Sequence, residues 1–261
     1  MNLLSVEHLG ISFGGVRAVD DVSFSISPGE IFSIIGPNGA GKTTLFNLIS
    51  GVYRSDMGRV TLRGDDVSRL PPEALASRGL ARTFQNLQIF ARMSVEENVM
   101  VGLHRHETRN VLAHLLGLPS VMAENRRTRD EARRYLDMLH LRQVADEVAG
   151  SLSYGELKRL EIARAMASRP DILLLDEPAA GCNPTETAEI DEIIVSIART
   201  GVAILLVEHD MKLVMGVSDR VLVLNQGRVL AEGAPDEVAR NPSVIDAYLG
   251  HDKGAAGGDH V

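Results

Sequence analysis

Ile31-Phe32-Ser33-Ile34-Ile35-Gly36-Pro37-Asn38-Gly39-Ala40-Gly41-Lys42-Thr43-Thr44 is the stretch that decides the architecture. Its first five residues are almost wholly apolar, as in a strand buried on both faces. The next eight fit G-x-x-x-x-G-K-[ST], and residues 43–50 continue as a helix. Strand, glycine loop and helix in that order are the context that makes this spacing a phosphate loop rather than a plain glycine turn. The glycines let backbone N–H groups turn inward around phosphate oxygens, and the helix N-terminus adds positive dipole. In such a loop Lys42 reaches the β- and γ-phosphates, Thr43 ligates Mg²⁺ and Thr44 adds a phosphate contact. The stretch predicts a nucleotide site on an α/β sheet.

Upstream, residues 3–9 and 19–26 are β-rich. Val22, Phe24 and Ile26 alternate with Ser23, Ser25 and Ser27, which predicts a half-buried antiparallel strand ended by Ser27-Pro28-Gly29. Beyond residue 92 helix formers dominate, at 95–104, 109–116 and 123–139. In the last run Ala132, Leu136 and Leu139 make an apolar stripe, and Arg126, Arg127, Arg129, Arg133 and Arg134 surround it as a solvated face. From Pro170 buried strands at 172–175 and 202–207 alternate with helices at 184–199 and 211–217. A hairpin at 221–224 and 228–231 turns around Gln226-Gly227. That alternation predicts an α/β core with a parallel sheet. The expected division is a discontinuous core of residues 1–91 and 166–250, a helical insertion at 92–165, and a disordered tail at 251–261.

The chain has 261 residues, 44% apolar and 24% charged, with 27 Lys and Arg against 35 Asp and Glu, a net charge of −8. An acidic chain has no global basic field to hold nucleic acid or an anionic bilayer. The single Cys182 cannot form an internal disulfide. The apolar runs are strand-sized, far short of the roughly 18 residues that span a bilayer, and residues 1–10 lack the features of a secretion signal. Composition thus predicts a soluble protein of a reducing compartment, peripheral to any membrane it serves. His104, His106, His114 and His140 are scattered without metal-ligand spacing.

Hydrolysis of a bound nucleotide needs a carboxylate for Mg²⁺ and a group that positions water. Ile172-Leu173-Leu174-Leu175-Asp176-Glu177 offers both at one strand end: Asp176 for the metal and Glu177 as general base. Pro178 leaves them at the C-terminal edge, where open α/β sheets bind ligands. His209 follows the next buried strand and reaches the same edge, where it can contact the γ-phosphate or fix the attacking water. Ser151-Leu152-Ser153-Tyr154-Gly155-Glu156 precedes a helix expected at 157–168, with Ser153 as its N-cap. A second serine–glycine anion site in a chain that already has a phosphate loop fits a nucleotide shared between two subunits.

Taken together these residues resemble the ATP-binding subunits of ABC transporters. The motifs run in order: residues 36–44 (Walker A), Gln85 within Arg82-Thr83-Phe84-Gln85-Asn86 (Q-loop), 152–156 (signature), 172–177 (Walker B), 179–184 (D-loop) and His209 (switch histidine). The resemblance implies a P-loop ABC-type ATPase core with an antiparallel β subdomain and an inserted helical subdomain. It implies that Phe13 stacks on adenine, that Gln85 touches Mg²⁺ or water, and that Ser153 and Gly155 bind the γ-phosphate of ATP across a head-to-tail dimer. It further implies two transmembrane permease subunits, a second ATP-binding chain, indirect service to a solute-binding protein, and a place at the cytoplasmic face of the cell membrane. Ser12-Phe13-Gly14-Gly15, Ala179-Ala180-Gly181, Glu208-His209-Asp210-Met211-Lys212 and Ala247-Tyr248-Leu249-Gly250 are most similar to the branched-chain amino acid importer branch.

Urea and short-amide ATPases share much of this pattern, the closely similar lipopolysaccharide-export ATPases lack most of the long segment between Q-loop and signature, and a soluble P-loop ATPase or kinase is the rival of another class. The signature departs from the family by reading Gly155-Glu156-Leu157, with a carboxylate expected to point away from phosphate. Cys182 stands where the D-loop usually has Leu and is expected to pack as a small hydrophobe. Leu87, Ile89 and Phe90 either form a groove for a permease helix or fill the helical core.

Overall fold

A computed structural model describes residues 2–83, 87–103 and 119–252. The chain opens with a hairpin of β1 (Leu4–Phe13) and β2 (Val16–Ile26). β3 (Ile31–Ile35) then feeds the phosphate loop and α1 (Lys42–Ile49). β4 (Met57–Leu62), β5 (Asp65–Asp66), α2 (Pro72–Ser77) and β6 (Leu80–Arg82) follow. Next among the described residues come α3 (Val95–Leu103), α4 (Pro119–Met138) and α5 (Tyr154–Ala167). The chain returns to β7 (Ile172–Asp176), α6 (Pro184–Arg199), β8 (Ala203–Val207) and α7 (Met211–Val217). It ends with β9 (Arg220–Asn225), β10 (Arg228–Gly233), α8 (Pro235–Ala239) and α9 (Pro242–Asp252).

Two sheets result. One is antiparallel in the order β2-β1-β4-β5; the other runs β10-β9-β3-β8-β7-β6, parallel except for the β9–β10 hairpin. The period of two along each buried strand sorts side chains between two cores. Phe32, Ile34, Ile172, Leu174, Leu205 and Val207 face the antiparallel sheet and α1. Ile31, Leu173, Leu175, Ile204 and Leu206 face the other way, onto Val95 and Val99 of α3, Leu136 of α4, Leu160 of α5 and Ile190 of α6. The helices between β6 and β7 therefore share one core with the sheet. Cys182 packs against this second core, as expected for a small hydrophobe.

Asp20, buried on β2, links the two sheets: it accepts from Arg17 at 2.7 Å and from Arg228 on β10 at 2.6 Å. The Arg228 and Arg17 guanidinium groups hold its carboxyl below the usual carboxylate range.

Helices α6 and α7 and strand β3 have the bounds the sequence predicts, give or take one residue. Elsewhere the structure differs. β1 runs on to Phe13, and α5 begins at Tyr154 rather than 157. Its earlier start follows from a capping box in which Ser153 Oγ accepts from Glu156 N at 3.3 Å and Glu156 Oε2 accepts from Ser153 N at 2.8 Å. β4, β5, β6 and α2 have no counterpart in the sequence reading. The helix expected at 109–116 lies outside the described residues, as do residues 253–261 of the expected tail. α9 reaches Asp252.

Candidate active site

The phosphate loop leaves the C-terminal end of β3, between its parallel neighbours β8 and β9. Two glycines are obligatory by shape. Gly36 has φ 152°, and a Cβ there would lie 2.1 Å from the Leu224 carbonyl oxygen. Gly41, the N-cap of α1 at φ 101°, would place one 2.3 Å from the Ala18 carbonyl oxygen. No side chain fits either place without moving a strand. Lys42 curls over the loop and donates from Nζ to the Gly36 carbonyl at 2.6 Å and that of Pro37 at 3.1 Å. Burial draws its ammonium below the ordinary lysine value, against the opposing pull of Glu177 and Asp176.

A cleft of about 500 Å³ opens over this loop. Asn38, Gly39, Ala40, Gly41, Lys42, Thr43 and Thr44 form its floor, and Glu177 and Val207 one side. Val16, Arg17 and Ala18 of β2 form the opposite wall with Gln226 and Gly227 of the β9–β10 turn. Gly36 and Pro37 sit beneath as the loop's stem. Phe13 stands just outside these walls, across the hairpin from Val16. It is 47% exposed and meets Tyr53 edge-on at 5.5 Å between ring centroids. An open aromatic face beside a phosphate cleft suits a planar heterocycle.

At the end of β7 the two carboxylates diverge. Asp176 is buried at 5% exposure, and Arg82 of β6 approaches it at 3.7 Å. Burial pushes its carboxyl up, and Arg82 opposes that shift. Arg82 is itself fixed by Asn47 Oδ1 at 2.7 Å and Ser50 Oγ at 2.6 Å, with its guanidinium 4.5 Å from the Phe46 ring centroid. Glu177 instead turns into the cleft. Its Oε1 lies 3.4 Å from Nδ1 of His209, so the structure brings these two predicted residues together. Glu177 holds φ 48°, a left-handed conformation uncommon outside glycine.

Ser153 and Gly155 stand apart from this cleft, at the start of α5. Gly155 abuts α6 so closely that a Cβ would lie 2.5 Å from Glu186 Cδ. The Glu156 carboxylate folds back onto the Ser153 amide, so it is committed to the cap. Gln85 lies outside the described residues, as do His104, His106 and His114. Phe90 is 47% exposed, its ring 5.7 Å from the Arg164 guanidinium, while Ile89 packs into the helical core. The core-filling alternative thus holds for Ile89.

Three sets of participants escape sequence reading. Arg82 opens the Q-loop motif, but only the structure shows that it faces Asp176. Val16, Arg17 and Ala18 reach the cleft through the packing of one sheet on the other. Glu208, at 1% exposure, accepts through its carboxylate from the backbone N–H groups of His209 at 3.1 Å, Ala179 at 3.5 Å and Asp210. It fastens the loop after β7 to the loop after β8. Its place immediately before His209 was the available signal.

A family model described as "ABC transporter" matches residues 19–180. The chain belongs to the ABC transporter family. It is one of the family's ATP-binding cassettes, an ATPase, and a second model, "Branched-chain amino acid ATP-binding cassette transporter", matches residues 228–254. The cassette is 45% identical over 249 residues to the high-affinity branched-chain amino acid transport ATP-binding protein BraF of Pseudomonas aeruginosa, across 95% of this chain and 98% of that one. It is 47% identical over 249 residues to LivG of Escherichia coli K12, the corresponding ATP-binding protein, with the same coverage. Among solved structures, the ADP conformation of an ATP-binding cassette from an ABC transporter matches with a TM-score of 0.82 at 32% identity, across 96% of this chain and 99% of that one. No helix among the described residues of the ABC cassette is long and apolar enough to cross a membrane.

Proposed function

We propose that this cassette hydrolyses ATP to drive import of branched-chain and related hydrophobic amino acids. It would work at the cytoplasmic face of the membrane, bound to two permease subunits and paired head-to-tail with a second ATP-binding chain. A solute-binding protein delivers cargo on the far side. The substrate assignment rests on similarity to the named branched-chain amino acid ATP-binding proteins and on the C-terminal family match. Those same similarities favour it over urea, short-amide or lipopolysaccharide transport. A kinase is disfavoured by the same similarities, which run along nearly the whole chain.

One observation carries the catalytic reading: Glu177 and His209 meet, 3.4 Å apart, beside the phosphate loop. In this reading Phe13 stacks on adenine. The amides of residues 36–44, with Lys42 and Thr44, hold the phosphates. Glu177 draws the proton from a water aligned for in-line attack on the γ-phosphorus, while His209 holds the γ-phosphate end. The Thr43 hydroxyl and Asp176 carboxylate are hard oxygen donors suited to Mg²⁺, with Gln85 as a third ligand by position in the chain. Bound there, the ion supplies Lewis acidity that offsets charge building on the leaving phosphate. Ser153 and Gly155, turned away from their own cleft, serve the partner's nucleotide. Residues 92–165 then move as a lobe against the core of 1–91 and 166–250 and pass closure to the permeases.

Glu177→Gln should bind ATP normally and lose hydrolysis by about 10²-fold or more. Near-normal turnover in that variant would place the base elsewhere.

A further inference from the structure

Lys158 lies on α5, one turn beyond the Ser153–Gly155 motif, and is only 4% exposed. Lysine is almost never this buried without a charged partner. Among the described residues no carboxylate lies within ion-pair distance of it, and its charge reaches Asp176 only through space. Its Nζ donates instead to the backbone carbonyl of Glu177 at 3.4 Å, and its ammonium lies 5.8 Å from the Tyr154 ring centroid.

The recipient of that bond is the residue held at φ 48°. Glu177 is anchored on its other side by its own N–H, which donates to the Val207 carbonyl at 2.9 Å. Its carbonyl also accepts from Ala180 N at 3.2 Å. A residue in the left-handed region persists there only when its surroundings over-determine it. Backbone rotation out of that region would swing the Cβ, and with it the carboxylate, away from His209. The first turn of α5 is also clamped to the loop after β7, since the Tyr154 ring lies against Gly181.

We propose that Lys158 is a positioning residue for hydrolysis. By gripping the Glu177 carbonyl it holds that residue in the conformation that aims its carboxylate into the nucleotide cleft. Because Lys158 rides on α5, the aim of Glu177 depends on where that helix sits. ATP hydrolysis is thereby tied to docking of the signature helix and not to nucleotide binding alone. The inference rests on Glu177 being the general base.

The test is steady-state ATPase kinetics, ATP affinity and thermal melting for Lys158→Met, Lys158→Gln, Glu177→Gln and Lys158→Met/Glu177→Gln. Methionine matches the aliphatic stem of lysine and suits a buried site, so melting should change little. Turnover should fall about tenfold or more, as expected for a misaimed catalytic group, with ATP affinity within twofold. Lys158→Gln, which keeps a donor, should lie between. In the Glu177→Gln background Lys158→Met should add less than twofold, because both changes act through one group. Wild-type turnover in Lys158→Met would overturn the inference, as would an equal loss in both backgrounds. If Lys158→Met unfolds, the same criteria apply to Lys158→Gln. Near-normal turnover in Glu177→Gln alone would instead overturn the assignment of the base.

Discussion

Glu208 offers a sharp test of how the two catalytic loops are held in register. Its carboxylate is the acceptor for three backbone N–H groups, from Ala179, His209 and Asp210, at 1% exposure. Glu208→Ala removes that acceptor and leaves the donors to whatever water can enter. An unsatisfied buried donor costs about 1–3 kcal/mol. The Ala179 bond is the longest, at 3.5 Å, and the exposed His209 side admits solvent, so the sum stays well below three full penalties. The expected loss is therefore about 2–4 kcal/mol, or roughly 4–16 °C in Tm for a chain of this size.

Glu208→Gln behaves differently. It keeps one carbonyl acceptor and relieves the burial that pushes the Glu208 carboxyl up. Its melting should stay within about 1 kcal/mol of the parent, while one of the two loops loses its tie. Differential scanning fluorimetry at pH 7.5 and steady-state ATPase assays read both quantities. The alanine variant should lose turnover because the His209 and Ala179 loops are no longer fastened. A Glu208→Ala protein that melts with the parent and turns over normally would refute the reasoning.

Other outcomes follow from the same geometry. Burial, with Asp210 and Glu208 nearby and Lys212 in opposition, pushes the Asp191 carboxyl from 3.8 up to about 6. The native state then holds an extra proton between those values, so stability rises as pH falls through that window. Asp191→Asn should stabilise the chain at pH 7.5 by about 1 kcal/mol after allowance for partial exposure, with the gain gone near pH 4; equal melting shifts at both pH values would contradict this. Ser153→Ala should cost about 1 kcal/mol as a lost N-cap and also abolish ATP-dependent pairing, which gel filtration with ATP would detect. Phe13→Ala should raise KM for ATP at unchanged kcat while leaving tripolyphosphate binding intact; parallel losses for both ligands would remove the base-stacking role.

The legible parts of this molecule are those where one short stretch carries its own physics. The phosphate loop needs glycine at Gly36 and Gly41 because neighbouring carbonyls leave no room for a Cβ, and that necessity is written as spacing. β3, β7 and β8 are buried on both faces and so read as almost wholly apolar runs. β5 could not be read: two exposed aspartates make a strand only because β4 lies alongside. β6 is three residues long and exists through its pairing with β7.

The site divides in the same way. Lys42, Thr43, Asp176, Glu177 and His209 each follow a strand and so fall on one edge of the sheet, a rule that sequence order alone supplies. Arg82, Lys158 and Glu208 act through burial and through which backbone group they meet. A lysine 4% exposed on α5 and an exposed arginine such as Arg126 on α4 are alike in a one-dimensional text.

The most direct measurement of the central claim is recovery of tagged Glu177→Gln protein, trapped with ATP, from its native membranes, followed by mass spectrometry of what comes with it. The account predicts two multi-span permeases and a second short ATPase, held in ATP and released in ADP. Recovery of soluble partners only, or of none, would contradict it.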